Sequence, residues 1–201
     1  MLPTPASGDT LFRIYQQGYK VNHKIRSRHH VEIPIQTWMR ELLTRVLGTY
    51  PPNGLVLQAI GAIVKRRAAN AVAFKDARPT LEKLAKRRLQ LGIISNVSSH
   101  EVAVEILRRV RLHNYFDSVI TSAQTGIRKP DPGIFLYALG QSNLKPGETV
   151  HIGDSEAHDV RGATPVGMTT VLVRSKQGPF HSDADYQFSS LERASDLLMS
   201  L

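Results

Sequence analysis

Residues 150–159, VHIGDSEAHD, decide the fold. A short run of strand length ends at Gly153, Asp154 follows at once, and Asp159 lies in the helical stretch that comes next. Acidic residues placed directly after a buried strand are typical of polar sites at the carboxyl edge of a parallel sheet.

Further short apolar runs occur on both sides of this stretch, and helical patterns separate them. The pattern predicts strands at 91–95, 118–121, 150–153 and 169–173. It predicts helices near 79–89, 100–111, 132–140, 156–164 and 190–200. Strands that alternate with helices indicate an α/β fold with a Rossmann-like parallel sheet and right-handed crossovers.

Residues 8–70 carry only helical signals. After the possible cap Ser7, one apolar stripe is formed by Leu11, Phe12, Ile14 and Tyr15. A second stripe at helical spacing contains Trp38, Leu42, Leu43, Val46 and Leu47. A third helix is predicted over 55–70, and it ends in a basic cluster at 65–67. The first third is therefore predicted to be a small helical bundle.

Polar residues follow the predicted strands at three places. Ser95 and Asn96 end the first strand, the segment 126–132 (GIRKPDP) follows the second, and Asp154 follows the third. Each feature alone is more typical of a helix cap or a loop charge. Because the carboxyl ends of parallel strands share one edge, we expect Ser95, Lys129 and Asp154 to meet at one cavity.

Histidines are weaker candidates. His151 lies within a predicted strand, where a hydrogen-bonded structural role is more common than catalysis.

Taken in this order, the texts IISN (93–96), KPDPGIF (129–135) and IGDSEAHD (152–159) resemble motifs II, III and IV of the haloacid dehalogenase-like (HAD) hydrolase superfamily. They are similar to the subfamily with a helical cap, which includes phosphoglycolate-phosphatase-like and 2-haloacid-dehalogenase-like proteins. The resemblance implies a helical cap over 1–72 and a Rossmann-like core over 73–201.

The resemblance also implies a Mg²⁺-dependent phosphatase that acts on a small phosphorylated metabolite through an aspartyl-phosphate. Ser95 and Lys129 would be catalytic, the backbone N–H of Asn96 would bind substrate, and Asp154 and Asp159 would form the metal site. A phosphoryl group in transfer carries charge on its equatorial oxygens, so fixed donors and cations suit it. Mg²⁺ prefers carboxylate oxygen.

The first motif of the superfamily, D-x-D-x-T at the end of the first strand, has no full counterpart. In one placement, residues 6–11 (ASGDTL) match its tail, with Ala6 where the nucleophilic aspartate belongs. In the other, the chain begins after the motif, because Pro3 and Pro5 make a poor central strand and 17–21 (QGYKV) resembles the turn after the first cap helix. Both placements predict an inactive chain, with Mg²⁺ bound weakly or not at all.

In the superfamily, the missing strand lies between the strands that end at Ser95 and Asp154. Its absence would leave backbone groups unpaired on two facing edges, at about 1–3 kcal/mol for each buried group. Another segment of the chain, a partner strand, or the rest of a longer gene product would have to fill the space.

The charge suggests an alternative. The chain has a formal net charge of +9, and most of the surplus falls within residues 1–75. A non-catalytic HAD-like protein could bind RNA or a protein partner through this basic lobe, although 6% aromatic residues offer no clear stacking platform. The lobe consists of Arg26, Arg28, His29, His30, Lys65, Arg66 and Arg67.

No apolar stretch approaches the roughly 18–20 residues that span a bilayer, and the chain contains no cysteine. We therefore expect a cytoplasmic protein without disulfides or a membrane anchor.

Overall fold

A computed structural model of the chain describes residues 8–174 and 182–200. The longer helices are α1 (Gly8–His29), α2 (Ile35–Leu47), α3 (Asn53–Ala69), α4 (Ala77–Ala85), α5 (His100–Arg109), α7 (Pro132–Ser142) and α9 (Leu191–Ser200). Two short ones are α6 (Ser122–Thr125) and α8 (Arg161–Ala163). The strands are β1 (Gly92–Ser95), β2 (Ser118–Thr121), β3 (Val150–Gly153), β4 (Thr169–Val173) and β5 (Tyr186–Phe188).

The strands form a parallel arrangement in two parts. β1 pairs with β2, and Ser95 lies opposite Thr121 at the carboxyl end. β3 pairs with β4 and β4 with β5, also in parallel. The four strands predicted from the sequence are present, so the α/β fold is confirmed.

No strand in the described part of the chain joins β1 to β3. We call the separation between the β1–β2 pair and the sheet of β3, β4 and β5 the strand gap. That the family's first strand belongs there stays a prediction. Residues 1–7 lie outside the described residues, and they include Ala6 and the cap candidate Ser7. The absence of the first motif therefore stays a prediction.

Strand β5 was missed by the sequence pattern. It has only three residues, and Tyr186 and Gln187 are exposed, so no apolar alternation marks it. Its start is fixed instead by Asp185, whose Oδ2 accepts hydrogen bonds from the backbone N–H of Thr170 at 2.7 Å and from its hydroxyl at 2.8 Å.

The predicted turn at 17–21 is wrong, because α1 continues through it without interruption. Gly18 has open space around it, so no close contact requires a glycine there. The glycine lowers the stability of the helix slightly through its weak helix propensity, but it does not end the helix. Aromatic rings at helical spacing support the continuous helix: Tyr15 and Tyr19 stack with centroids 6.3 Å apart, and Tyr19 and His23 lie 5.9 Å apart.

The helix predicted at 156–164 is irregular. Residues Glu156–Val160 form a π-helical turn, in which the N–H groups of Asp159 and Val160 both donate to the Ser155 carbonyl, at 2.8 and 3.3 Å. α8 and a 3₁₀ turn at Thr164–Val166 follow. The widened turn sets the position of Asp159 relative to β3.

Two apolar clusters stabilise the molecule. One lies between the sheet and α7, where Ile134 and Phe135 are fully buried beside Ile120. The other joins α2 and α3 through Ile35, Met39, Val56 and Ile60. α3 also packs against α5, so the N-terminal helices rest directly on the α/β layer. A domain boundary at residues 72 and 73 stays a prediction.

None of the helices within 8–174 and 182–200 combines the length and the apolar character that crossing a membrane would require.

Candidate active site

Lys129 lies at the centre of the site. Its Nζ donates to the Ile94 carbonyl of β1 at 2.8 Å and to Asp159 Oδ1 at 2.5 Å. Asp159 belongs to the turn that follows β3, so this one ammonium links the two parts of the sheet across the strand gap. The Lys129 side chain is only 13% exposed, which strengthens its interaction with the carboxylate.

Asn96 fixes the backbone of Lys129. Its Nδ2 donates to the Lys129 carbonyl at 2.9 Å, and its Oδ1 accepts from the Lys129 N–H at 2.8 Å. The paired hydrogen bonds tie the end of β1 to the loop that follows α6. The predicted role of the Asn96 backbone N–H stays a prediction, and the structure adds a role for the side chain, which positions the lysine.

Asp159 is buried and accepts from several donors. Besides Lys129, its Oδ1 lies 3.2 Å from His151 Nε2, and its Oδ2 accepts from the Ser155 N–H at 3.0 Å. Burial alone would raise the pKa of Asp159, but the hydrogen bond from His151 and the charge of Lys129 outweigh it and hold the pKa well below its usual range. Asp159 is therefore a firmly ionised carboxylate.

His151 makes the hydrogen bond that was predicted for it, and its structural role stays a prediction. Its ring contacts Phe135 edge-on, with centroids 4.9 Å apart and planes at 87°, while Nε2 faces Asp159. The apolar core thus holds the imidazole in place for its hydrogen bond.

Gly153 allows Asp159 to approach the strand closely. A Cβ at this position would lie 2.2 Å from Asp159 Cγ, a distance that no real contact tolerates. The glycine before Asp154 is therefore required by the packing of the carboxylate against β3.

Asp154 is exposed and lies beside a cavity of about 710 Å³. Within the described residues, its carboxylate has no hydrogen-bond partner, while its backbone carbonyl accepts from Arg174 Nε at 3.3 Å. The lining of this cavity includes Phe74, Ile152, Gly153, Asp154, Val173 and Leu191.

Ser95 is half-buried at the end of β1, one residue beyond the carbonyl that Lys129 contacts. Its hydroxyl has no partner among residues 8–174 and 182–200. The described lining of the cavity includes neither Ser95 nor Lys129. The structure therefore brings Lys129 into direct contact with Asn96 and Asp159, and it places Asp154 beside the cavity. For Ser95 it shows only that the residue follows Ile94, whose carbonyl Lys129 contacts.

The predicted Mg²⁺ site lacks donors in the described part of the chain. No three histidine or acidic side chains there are grouped so that they could hold a metal ion. Both oxygens of Asp159 already accept hydrogen bonds, which leaves Asp154 as the available carboxylate. Because Mg²⁺ keeps several waters and is usually held by one or two carboxylates, the described residues offer it Asp154 as a single protein ligand, which is an incomplete site.

Basic residues from different segments lie near His158. Partial burial lowers the pKa of His158; Asp159 opposes this, while Arg128, Lys129 and His30 lower the pKa further. Arg128 and Lys129 are themselves paired with Glu32 and Asp159, so their charges are largely balanced by buried carboxylates.

A buried ionic cluster behind Lys129 was not anticipated from the sequence. The Glu32 side chain has no exposure, its Oε1 lies 3.0 Å from Arg26 Nε, and its Oε2 contacts Arg128 Nη1. The Ser122 hydroxyl donates to the same Oε2 at 2.5 Å. We refer to Arg26, Glu32, Ser122 and Arg128 as the Glu32 cluster.

Backbone hydrogen bonds extend the Glu32 cluster. The Glu32 N–H donates to the Gly126 carbonyl, and the Arg128 N–H donates to the His30 carbonyl, each at 2.8 Å. The connection between α1 and α2 is thereby fixed to the loop that leads into Lys129. One feature of the sequence could have indicated this cluster: Glu32 is the one acidic residue between Asp9 and Glu41, in a segment that is otherwise basic.

Comparison with known proteins agrees with this geometry. A family model described as haloacid dehalogenase-like hydrolase matches residues 9–173. The glyceraldehyde 3-phosphate phosphatase of Methanopyrus kandleri is 32% identical over 176 residues, which is 86% of this chain and 70% of that protein. The haloacid dehalogenase-like hydrolase domain-containing protein 3 of Bos taurus is 39% identical over 130 residues, and the match covers 51% of its length.

Solved structures show the same fold. The 2-haloacid dehalogenase of Pseudomonas syringae pv. Tomato superposes with a TM-score of 0.75 at 25% identity, over 98% of this chain and 82% of that one. A HAD phosphatase from Thermococcus onnurineus superposes with a TM-score of 0.68 at 27% identity, over 94% and 85%. From its match over most of its length and from its fold, the chain belongs to the haloacid dehalogenase-like hydrolase family.

Proposed function

We propose that the chain forms the phosphoryl-binding part of a phosphatase site for small phosphorylated metabolites. The observation that carries this proposal is Lys129, whose ammonium is held between β1 and Asp159 at the carboxyl edge of the sheet. A fixed, partly buried cation at this edge stabilises the charge that develops on a transferring phosphoryl group.

The relatives support phosphoryl chemistry. The match to glyceraldehyde 3-phosphate phosphatases favours a small phosphorylated substrate. In this proposal the hydroxyl of Ser95, which has no partner among the described residues, and the N–H of Asn96 donate to phosphoryl oxygens, and Asp154 presents a carboxylate beside the cavity.

Turnover needs a carboxylate that is free to attack phosphorus, whereas the carboxylate that the described residues place at Lys129, that of Asp159, already accepts hydrogen bonds through both oxygens. The family's Mg²⁺, when bound, neutralises phosphoryl charge, but the donors described here do not complete its site. We therefore propose that this chain binds phosphorylated ligands without hydrolysing them.

Ligand binding tests this proposal. Calorimetric titration with glyceraldehyde 3-phosphate is carried out on the full chain and on Ser95→Ala and Lys129→Gln, with thermal unfolding used to confirm that each variant folds. The controls are Ser142→Ala, at a half-buried residue at the end of α7, and Lys145→Gln, at an exposed residue. We expect Ser95→Ala and Lys129→Gln to weaken binding at least tenfold and the controls to leave it unchanged. Equal binding by all five proteins, or no binding by the full chain, would overturn the proposal.

The basic lobe gives less support to a function in nucleic-acid binding. Arg26 is turned inward to Glu32, and its Nη2 donates to the Ile33 carbonyl at 2.7 Å. A guanidinium used in this way stabilises the fold and is not available to phosphates on the surface.

A further inference from the structure

We propose that Glu32 is a positioning residue of the candidate active site: its carboxylate holds together the two loops that carry Asn96 and Lys129. Glu32 lies on the connection between α1 and α2, and its side chain has no exposure, so a ligand at the site does not touch it. The effect of Glu32 on ligand affinity rests on the proposed function, whereas its effect on the two loops can be measured without a ligand.

The first link runs through Arg128 to Lys129. Glu32 Oε2 accepts a hydrogen bond from Arg128 Nη1, and an antiparallel bridge between Val31 and Ile127 reinforces this contact through the main chain. Arg128 and Lys129 share a peptide unit, so a shift of Arg128 also moves the backbone N–H of Lys129. The carboxylate thus fixes the loop one residue before the ammonium of the site.

The second link runs through Ser122 to the loop after β1. The Ser122 hydroxyl lies 2.5 Å from Glu32 Oε2 and 3.1 Å from the Val97 carbonyl, and it accepts from the Val97 N–H at 2.9 Å. A hydroxyl has one proton to donate, and a charged carboxylate takes it in preference to a neutral carbonyl, because charge-assisted hydrogen bonds are stronger. Glu32 therefore orients Ser122 as an acceptor for Val97, the residue that follows Asn96.

The two loops are also joined at the site itself. The Asn96 side chain makes its paired hydrogen bonds to the main chain of Lys129 at 2.9 and 2.8 Å. The loops are thus held together in front by Asn96 and behind by Glu32. In the proposed function, the Asn96 N–H and the Lys129 ammonium contact the same phosphoryl group, so their separation depends on the carboxylate behind them.

The partners of Glu32 require its charge as well as its size. Oε2 receives two donors, one of them a guanidinium, and Oε1 lies 3.0 Å from Arg26 Nε. A glutamine of similar volume keeps one oxygen, and it turns an NH₂ group, which only donates, toward one of these donors. Glu32→Gln should therefore loosen the links without leaving a cavity.

Ligand titration tests this role on the full chain. We expect Glu32→Gln to weaken the binding of glyceraldehyde 3-phosphate at least tenfold, and Ser122→Ala, which removes the second link alone, about threefold. Glu41→Gln, at an exposed acid of α2, should leave the affinity unchanged. Leu84→Ala, at a buried residue of α4, should also leave it unchanged, and this control separates positioning from a general loss of stability.

A double variant shows whether Glu32 acts through Arg128. The two residues are in contact, so their effects on affinity should not add. With both charges removed, Glu32→Gln/Arg128→Met should bind within about twofold of Glu32→Gln alone. Additive losses would overturn the first link.

Nuclear magnetic resonance of the free chain separates the positioning role from the proposed function. We expect the backbone amide signals of Asn96, Val97 and Lys129 to shift in Glu32→Gln and to stay in place in both controls. If they shift but the wild-type chain binds no glyceraldehyde 3-phosphate, the positioning of the loops stands and the proposed function fails.

Three results would overturn the inference. They are unshifted amide signals in a folded Glu32→Gln chain, wild-type affinity in that chain, and an equal loss of affinity in Leu84→Ala. If Glu32→Gln does not fold, Ser122→Ala decides: unchanged affinity and an unshifted Val97 signal in that variant would overturn the inference as well.

Discussion

Lys129 and Asp159 form an ion pair across the strand gap, with Nζ and Oδ1 2.5 Å apart. Their side chains are 13% and 5% exposed, and His151 shares the same carboxylate oxygen at 3.2 Å. The pair connects β1 to the turn after β3, where no described strand does so. Its energetics can be measured directly.

Removing one partner of this pair leaves the other buried and uncompensated. We expect Lys129→Met and Asp159→Asn each to lower the free energy of unfolding by about 3–5 kcal/mol. Because the residues are in contact, the double variant should lose clearly less than the sum. Urea unfolding measures all three.

The control for this experiment is Lys83→Met, which removes the pair with Asp196. That pair is exposed, with side chains 39% and 63% accessible, so the loss should be no more than about 1 kcal/mol. Additive losses at Lys129 and Asp159 would contradict a direct ion pair.

Asp159 also predicts an acid dependence of stability. Its pKa is lower in the folded chain than in the unfolded one, so its contribution is full above the ordinary carboxyl pKa of about 4 and falls as the pH drops below it. Urea unfolding in EDTA from pH 7 to pH 3 should show the difference between wild type and Asp159→Asn shrinking in acid. A difference that stays constant down to pH 3 would mean that the carboxylate is not selectively stabilised.

The buried acid of the Glu32 cluster can be compared with an exposed one. Glu32→Gln leaves Arg26 and Arg128 without a counter-charge, and we expect a loss of about 3–5 kcal/mol. Glu41→Gln removes only the exposed pair with Arg45 on α2, and we expect about 0.3–0.5 kcal/mol. Thermal or urea unfolding of both variants checks the contrast, and similar losses would show that Glu32 is solvated.

Replacing two glycines by alanine is expected to change the stability of the chain in opposite directions. Gly153→Ala places a Cβ against Asp159, so we expect a loss of about 1–3 kcal/mol or more, as for other overpacked sites. Gly140→Ala in α7 meets no atom within 4 Å and should stabilise the chain by about 0.5–1 kcal/mol. Calorimetric unfolding measures both, and a neutral Gly153→Ala would show that Asp159 can move away from β3.

Catalysis by the chain alone can be assayed with p-nitrophenyl phosphate and Mg²⁺. We expect no turnover, and no change on Asp154→Asn, because Asp159, the carboxylate that the described residues place at Lys129, is held by hydrogen bonds at both oxygens. Turnover that disappears in Asp154→Asn would show that a nucleophile is present after all.

The elements could be predicted from the sequence because their signals are local. Apolar runs of strand length set β1 to β4, and Ser99, whose hydroxyl accepts from the Val102 N–H, marks the start of α5. The exposed strand β5 and the π-helical turn at Glu156–Val160 carry no such signal. Each depends on hydrogen bonds that a regular pattern of apolar residues does not indicate.

The sequence itself determined the residue types of the site and the edge of the sheet at which they are expected. A residue that follows a strand lies at the carboxyl end of that strand, and the carboxyl ends of parallel strands lie at the same edge of the sheet. Tertiary structure alone decided the partners. Glu32 meets Arg128 and Lys129 meets Asp159 over long separations in the chain, and the sheet divides between β1 and β3. Such contacts depend on how distant segments pack together, which local sequence periodicity does not encode.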